Sequence, residues 1–287
     1  MLPSLAPWNA AFTSAVASEL ETEPFIPFSF SNVGEHGIPH TRTCVFRGFL
    51  FNDTKTNVLL FTCDKRSAKF KDLIKNSNFE ACFYFHKSRK QFRFSGAVRV
   101  ITNERHPIID LSNLSTISSS KEKSGESEIK LNDTDLVVEQ EHDFYSIGLD
   151  KVGIDEPLMY KIVSPSQTQD MNVSTLSLCE LNTTIHAPTE EEWKAERQRC
   201  WNDLSRSLKR SFKRPLPGSL LTSEKYRLLD SINRGVDGTS SGQENFVVVC
   251  MFVKAVDLVE LTGGVDKRYL YKKSYDIDVW KEYEVCP

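Results

Sequence analysis

Apolar positions recur along this chain with two different periods. Trp8, Phe12, Val16 and Leu20 return every four residues, which predicts an amphipathic helix over 8–20. From residue 41 onward the runs become short and β-favouring. Strands are predicted over 41–50, 57–62, 79–86 and 91–101. A helix over 67–76 lies among them, because Phe70, Leu73 and Ile74 fall at i, i+3 and i+4. Asn52-Asp53 marks the first turn, and Lys87 to Lys90 marks the tip of a hairpin. Short strands with one early helix suit a small barrel.

The pattern lapses near His106. From Ser112 to Lys130 the chain is rich in Ser, Lys and Glu and has no period. Such a stretch buries too little apolar surface to offset its ordering entropy. Leu158-Met-Tyr160 could pack locally, but Ser164 to Thr175 is polar again. Residues 106–187 therefore read as a polar insertion, largely disordered, between two parts of one domain at 1–105 and 188–287. Order resumes at Glu190. Trp193, Arg197, Cys200, Trp201, Leu204 and Leu208 share a helix face, and the helix is expected to run on through Lys213 until Pro215 stops it. Residues 223–244 read as a loop, and 247–256, 269–272 and 279–285 as the last strands.

Composition narrows the function classes. The 287 residues are 39% hydrophobic with 18 Phe, enough for a core. The net charge of −3 gives no sign of bulk nucleic-acid or membrane binding. No apolar run approaches a membrane span. Residues 1–23 hold no Lys or Arg and three Glu, which argues against a targeting peptide. Seven Cys without CxxC spacing fit reduced thiols, so a cytoplasmic, or also nuclear, location is expected. Cys44, Cys63 and Cys82 read as small core residues, and the six His show no metal-ligand spacing.

The candidate chemistry lies where cationic side chains meet strand ends. Arg42 and Arg47 flank Thr43, Cys44, Val45 and Phe46. Phe61-Thr62 closes the second strand. Arg66, Ser67 and Lys69 open the helix that follows, with Ser67 as its cap. A helix start offers unpaired N–H groups to an anion, and two arginines with one lysine add full charges, which suits a phosphate dianion. Gln91 and Arg93 alternate with Phe92 and Phe94 and share one strand face; Arg99 is expected to be exposed on that face. Arg206, Lys209, Arg210, Lys213 and Arg214 make a basic helix end, explained by the helix dipole or by an acidic ligand such as a partner subunit's flavin.

In order and spacing these residues resemble the pyridoxamine 5'-phosphate oxidase-like, FMN-binding split-barrel family. Its first strand reads Arg-x-x-x-x-Lys/Arg, its second ends in Tyr/Phe-Thr, a Ser-x-Lys clamp follows, and a later strand carries Gln. Ala6-Pro7-Trp8, Trp201, Leu204-Ser205, Arg210, Phe212 and Pro215 to Gly218 resemble one branch of it. Gly263-Gly264, Arg268 to Tyr271 and Trp280 to Pro287 resemble the oxidase C-terminus. The resemblance implies a mainly β fold with flanking helices, a six-stranded antiparallel split barrel. It implies FMN as cofactor, held by Arg42, Thr43, Cys44, Val45, Arg47, Phe61, Thr62, Arg66, Ser67, Lys69, Gln91 and Arg268. It also implies a homodimer with FMN at the interface.

The substrate half of the family pattern is thinner. The oxidases carry a Trp before a glycine and then Arg-Leu-His-Asp-Arg; here Leu261 stands in the Trp position and Val265 to Arg268 supplies only the last arginine. The Tyr-x-x-x-Arg-x-x-x-Ser substrate-phosphate cluster has no counterpart. The resemblance thus implies an FMN-dependent oxidoreductase of unknown substrate, with poor pyridoxamine 5'-phosphate oxidation expected. The alternatives are a flavin-binding or flavin-sensing protein without turnover and a haem-binding split barrel.

Overall fold

The computed structural model describes residues 5–112, 153–167, 185–235, 241–261, 263–274 and 279–287. Helix α1 (Asn9–Glu19) falls where the four-residue period puts it. A strand not expected from the sequence follows, β1 (Pro27–Val33); its Phe28 and Phe30 point inward while Ser29 and Ser31 alternate outward. Next come β2 (Pro39–Val45), β3 (Val58–Asp64), α2 (Ala68–Lys75), β4 (Asn78–Phe85) and β5 (Lys90–Ile101). Two-residue strands β6 (Ile109–Asp110) and β7 (Leu158–Met159) pair in parallel. The chain ends in β8 (Phe246–Glu260), β9 (Lys267–Lys273) and β10 (Trp280–Val285).

Strand order is β10-β9-β8-β5-β4-β1-β2, with β3 on β8. The segment after β2 closes the ring onto β3. Arg47 N–H donates to the Leu60 carbonyl at 2.8 Å, and Leu60 N–H donates to the Gly48 carbonyl at 2.9 Å. The sheet holds eight strands rather than the six expected, because β8 is 15 residues long and serves two neighbours. Its first half pairs with β3 and its second half with β9, while β5 lies along both. A bulge at Ser95/Gly96 lets β5 follow that path. Only glycine fits there: a Cβ on Gly96 would sit 2.1 Å from the Phe252 carbonyl oxygen.

Alternation along the strands builds an aromatic core inside the ring, plugged by α1. The Phe12 ring meets Phe83 and Phe94 edge-on at 5.1 Å, and Trp8 meets Phe94 at 5.1 Å. A second cluster covers the outer side of β3 and the first half of β8. Leu60, Val248 and Cys250 pack there under α3 (Glu190–Asn202), which contributes Trp193, Cys200 and Trp201. With both faces covered, β3 and β8 read as unbroken apolar runs.

Three expectations need correcting. The helix expected to run through Lys213 breaks after Asn202, because Ser205 caps a new short helix, α4 (Arg206–Ser211). Residues 223–244, read as a loop, contain α5 (Ser223–Arg234), capped by Thr222 and ended by Gly235 at φ 75°. Its polar composition hid it, since Ile232 is the helix's one fully covered residue. Arg99, expected on the surface, is 1% exposed. Its guanidinium donates twice to the Glu156 carbonyl at 2.9 and 3.1 Å, and burial pushes its pKa down to about 10.

That contact belongs to the expected insertion, 106–187. Residues 113–152 and 168–184 lie outside the described residues, and with them most of the disorder expectation. The described stretch 153–167 is packed. Leu158, Tyr160 and Ile162 join the second cluster, and Ser164 donates to Glu192 of α3 at 2.5 Å.

Candidate functional site

The mouth between β2 and β3, roofed by α2, gathers the cationic residues singled out in the sequence. Ser67 caps α2: its hydroxyl accepts from Phe70 N–H at 3.4 Å and donates to the Asp64 carbonyl at 2.7 Å. The cap turns the first helical turn toward β2. Lys69 Nζ then lies 3.5 Å from Cys44 Sγ and 5.0 Å from the centre of the Phe61 ring. Neither is a counter-ion. Burial pushes the Cys44 thiol up from its ordinary value against the pull of Lys69, and pushes Cys63 up to about 12, so both stay neutral near pH 7. Half-buried Lys69 has no carboxylate partner among the described residues.

Arg47 shows the same imbalance. Burial draws its pKa below the ordinary arginine range, and its Nε is buried without a hydrogen-bond partner. A buried donor left unsatisfied costs about 1–3 kcal/mol, and more when charged. The nearby carboxylates are already taken. Asp64 holds Arg66 through Nε at 2.9 Å and Nη2 at 2.6 Å. Asp72 accepts from Asn32 and lies 3.0 Å from His40 Nδ1.

The predicted residues thus divide. Arg42, Cys44, Phe61, Ser67 and Lys69 come together at the mouth, with Arg47 on the backbone that closes it. Arg42 is tied to Asn32 and to the His40 carbonyl. Arg66 turns the other way, onto Asp64 and the Phe212 carbonyl below α4. Thr43 is exposed on the outer side of β2, Val45 is half-buried, and Thr62 pairs with Val248 on the second-cluster face.

Gln91 and Arg268 sit elsewhere, on the outer face of β5, β8 and β9. Gln91, Val259 and Arg268 stand in one cross-strand row. In the next row Asp257, buried, accepts from Arg268 at 2.8 and 3.0 Å and from Arg93 at 3.4 Å; Arg93 also reaches Glu80 at 2.8 Å. A groove of about 290 Å³ opens beside this network and extends to Asn32, the partner of Arg42. Sequence reasoning missed Asn32, His40, Asp72 and Asp257. The strand alternation around Phe28 and Phe30 could have revealed Asn32.

The mouth fits a phosphate: it offers a capped helix start and two half-buried cations that no carboxylate among the described residues balances. Comparison with known proteins gives the family and the cofactor. The model of the pyridoxamine 5'-phosphate oxidase FMN-binding domain matches residues 5–102. Uncharacterized protein YGR017W of Saccharomyces cerevisiae is 33% identical over 314 residues, covering 100% of both chains. Pyridoxine/pyridoxamine 5'-phosphate oxidase 2 of Arabidopsis thaliana is 31% identical over 97 residues, 34% of this chain and 48% of that one. Among solved structures, a pyridoxamine 5'-phosphate oxidase-related, FMN binding protein from Nostoc punctiforme superposes with a TM-score of 0.59 at 22% identity, over 99% of this chain and 100% of that one. PhzG from Burkholderia lata, solved with tetrahydrophenazine-1-carboxylic acid, gives 0.53 at 11% identity, over 100% and 99%; at such identities both show the shared fold. The chain belongs to the pyridoxamine 5'-phosphate oxidase-like family of FMN-binding split barrels. Residues 5–102 match the FMN-binding domain of that family, with FMN as the cofactor.

Proposed function

We propose that this protein is an FMN-dependent oxidoreductase that holds the flavin phosphate at the mouth between β2, β3 and α2. The observation that carries the reading is the pair of half-buried, uncompensated cations, Lys69 and Arg47, beside a capped helix start. Arg42 is the third cation within reach. Arg66 adds to the clamp by exchanging Asp64 for phosphate. Bound FMN supplies the redox chemistry, and the protein's part is to position and tune it. Gln91 and Arg268 on the outer face are assigned to the ring end, completed by a second copy of the chain, so the working form is a homodimer in the cytoplasm.

A flavin carrier without turnover is the second reading. It is favoured by Asp257, which neutralises Arg93 and Arg268, the cations nearest the ring end. The deciding experiment is reconstitution with FMN, followed by assays of flavin reduction with NAD(P)H and peroxide release with amines and alcohols. Turnover with any of them supports the oxidoreductase. A flavin that binds and is never reduced or reoxidised supports the carrier. Pyridoxamine 5'-phosphate is expected to be a poor substrate, because the histidine of the family's substrate segment is missing near Gly264 to Arg268.

A further inference from the structure

The net charge of −3 conceals a strong local one. Residues 206–234 carry eight Lys and Arg against two acids. This stretch is α4, the turn after it, and α5. Arg206, Arg210, Arg214 and Arg227 are exposed and have no carboxylate partner among the described residues. The apolar residues between them also face solvent. Leu220 is 87% exposed and Leu221 65%, at the tip of the connection, and Leu216, Tyr226 and Leu228 of the same stretch are exposed too. The tip is held in place: Lys225 Nζ donates to Ser219 Oγ and to the Leu220 carbonyl, both at 2.8 Å. Arg210 Nη2 lies 3.9 Å from where a Cβ on Gly235 would be, so the end of α5 returns to the basic end of α4.

We infer that this surface docks on an anionic phospholipid membrane, with Leu220 and Leu221 entering the headgroup layer and the arginines over the acidic headgroups. Adjacent leucines at an exposed tip that Lys225 holds, with exposed Arg214 and Arg227 flanking it in sequence and an exposed tyrosine at 226, match the chemistry of an interfacial anchor. A second copy meeting this same patch face to face would set its cations against one another, and a copy covering it with another surface is read out below as self-association. Nucleic acid would use the arginines but leave the leucines in water. No helix among the described residues is long and apolar enough to cross a membrane, so the contact is peripheral.

The test is cosedimentation of the full chain with vesicles of equal parts phosphatidylcholine and phosphatidylserine, and with phosphatidylcholine alone. The expected result is at least about tenfold stronger binding to the anionic vesicles, falling as salt is raised. Leu220→Asp with Leu221→Asp should abolish it, and Arg210→Glu with Arg214→Glu should weaken it about tenfold or more, with the melting temperature held as a control for folding. Absence of binding, or equal binding to both vesicles, overturns the inference. So does a leucine variant that loses self-association instead, which makes the patch a contact between copies. Retention on duplex DNA that the leucine variant keeps and the arginine variant loses makes it a nucleic-acid surface.

Discussion

The two ends of the candidate flavin site treat charge in opposite ways. At the outer face, Arg93 and Arg268 converge on Asp257, and Arg93 also holds Glu80; the chain balances its own charge there. At the mouth of β2 and β3, Lys69 faces a neutral thiol and a ring, while Arg47 keeps a buried donor without a partner. Evolution tolerates an unbalanced half-buried cation where a ligand supplies the missing anion. On the proposed reading, the contrast separates the flavin's anionic end from a surface completed by other contacts.

The largest effect is expected at the mouth. A charged hydrogen bond contributes about 1.5–3 kcal/mol, so Lys69→Met should weaken FMN by roughly ten- to a hundredfold. The same change should leave the unliganded protein no less stable, because it removes a cation that has no carboxylate partner among the described residues. Equilibrium titration and thermal melting of the apo-protein check the two halves together. A lowered apo melting temperature with unchanged FMN affinity would mean that Lys69 is a structural residue.

Asp257→Asn should show the reverse pattern. It leaves two arginines without their shared carboxylate at a buried position, and about 1–3 kcal/mol of stability should be lost in denaturant unfolding. FMN affinity should move less than with Lys69→Met. A larger loss of FMN than of stability would bring the flavin phosphate to the outer face and dissolve the contrast.

A smaller effect follows from the thiols at the mouth. Burial raises the Cys63 pKa from 9.0 to about 12 in the folded chain. Stability from this neutral thiol is complete below pH 9 and drains away as pH climbs toward 12, because the unfolded chain ionises first. Cys63→Ala should flatten that alkaline decline in a pH series of melting curves. An unchanged decline would assign it to other groups, Cys44 among them.

Much of this was legible in the sequence wherever periodicity and chemistry agreed. Phe70, Leu73 and Ile74 predicted α2 and Ser67 its cap, and the structure places both there. The barrel strands from β2 to β5 lie within a few residues of their expected spans, apart from β2, which ends at Val45 while its continuation turns to close the ring. Three things were not legible because they depend on distant partners. Arg99 is buried by a segment more than fifty residues away in sequence. α5 does carry an apolar stripe, Tyr226, Leu229 and Ile232 at three-residue spacing, but the Gly, Ser and charged residues of 223–244 outweighed it, and only the fold shows that Ile232 is covered. The pairing of Arg66 with Asp64, which draws it from the phosphate mouth toward Phe212, needs the α4 chain in place. Local patterns specify elements, while the balance of charge around a site appears only after assembly.

The central claim is that the mouth of β2, β3 and α2 is a phosphate site. Parallel titration of the apo-protein with FMN and with riboflavin tests it most directly, since the two ligands differ only in that phosphate. Two or more uncompensated cations should favour FMN by at least roughly tenfold, and the preference should shrink in Lys69→Met. Equal affinity for FMN and riboflavin, or a preference that survives loss of Lys69 and Arg47, would contradict the account.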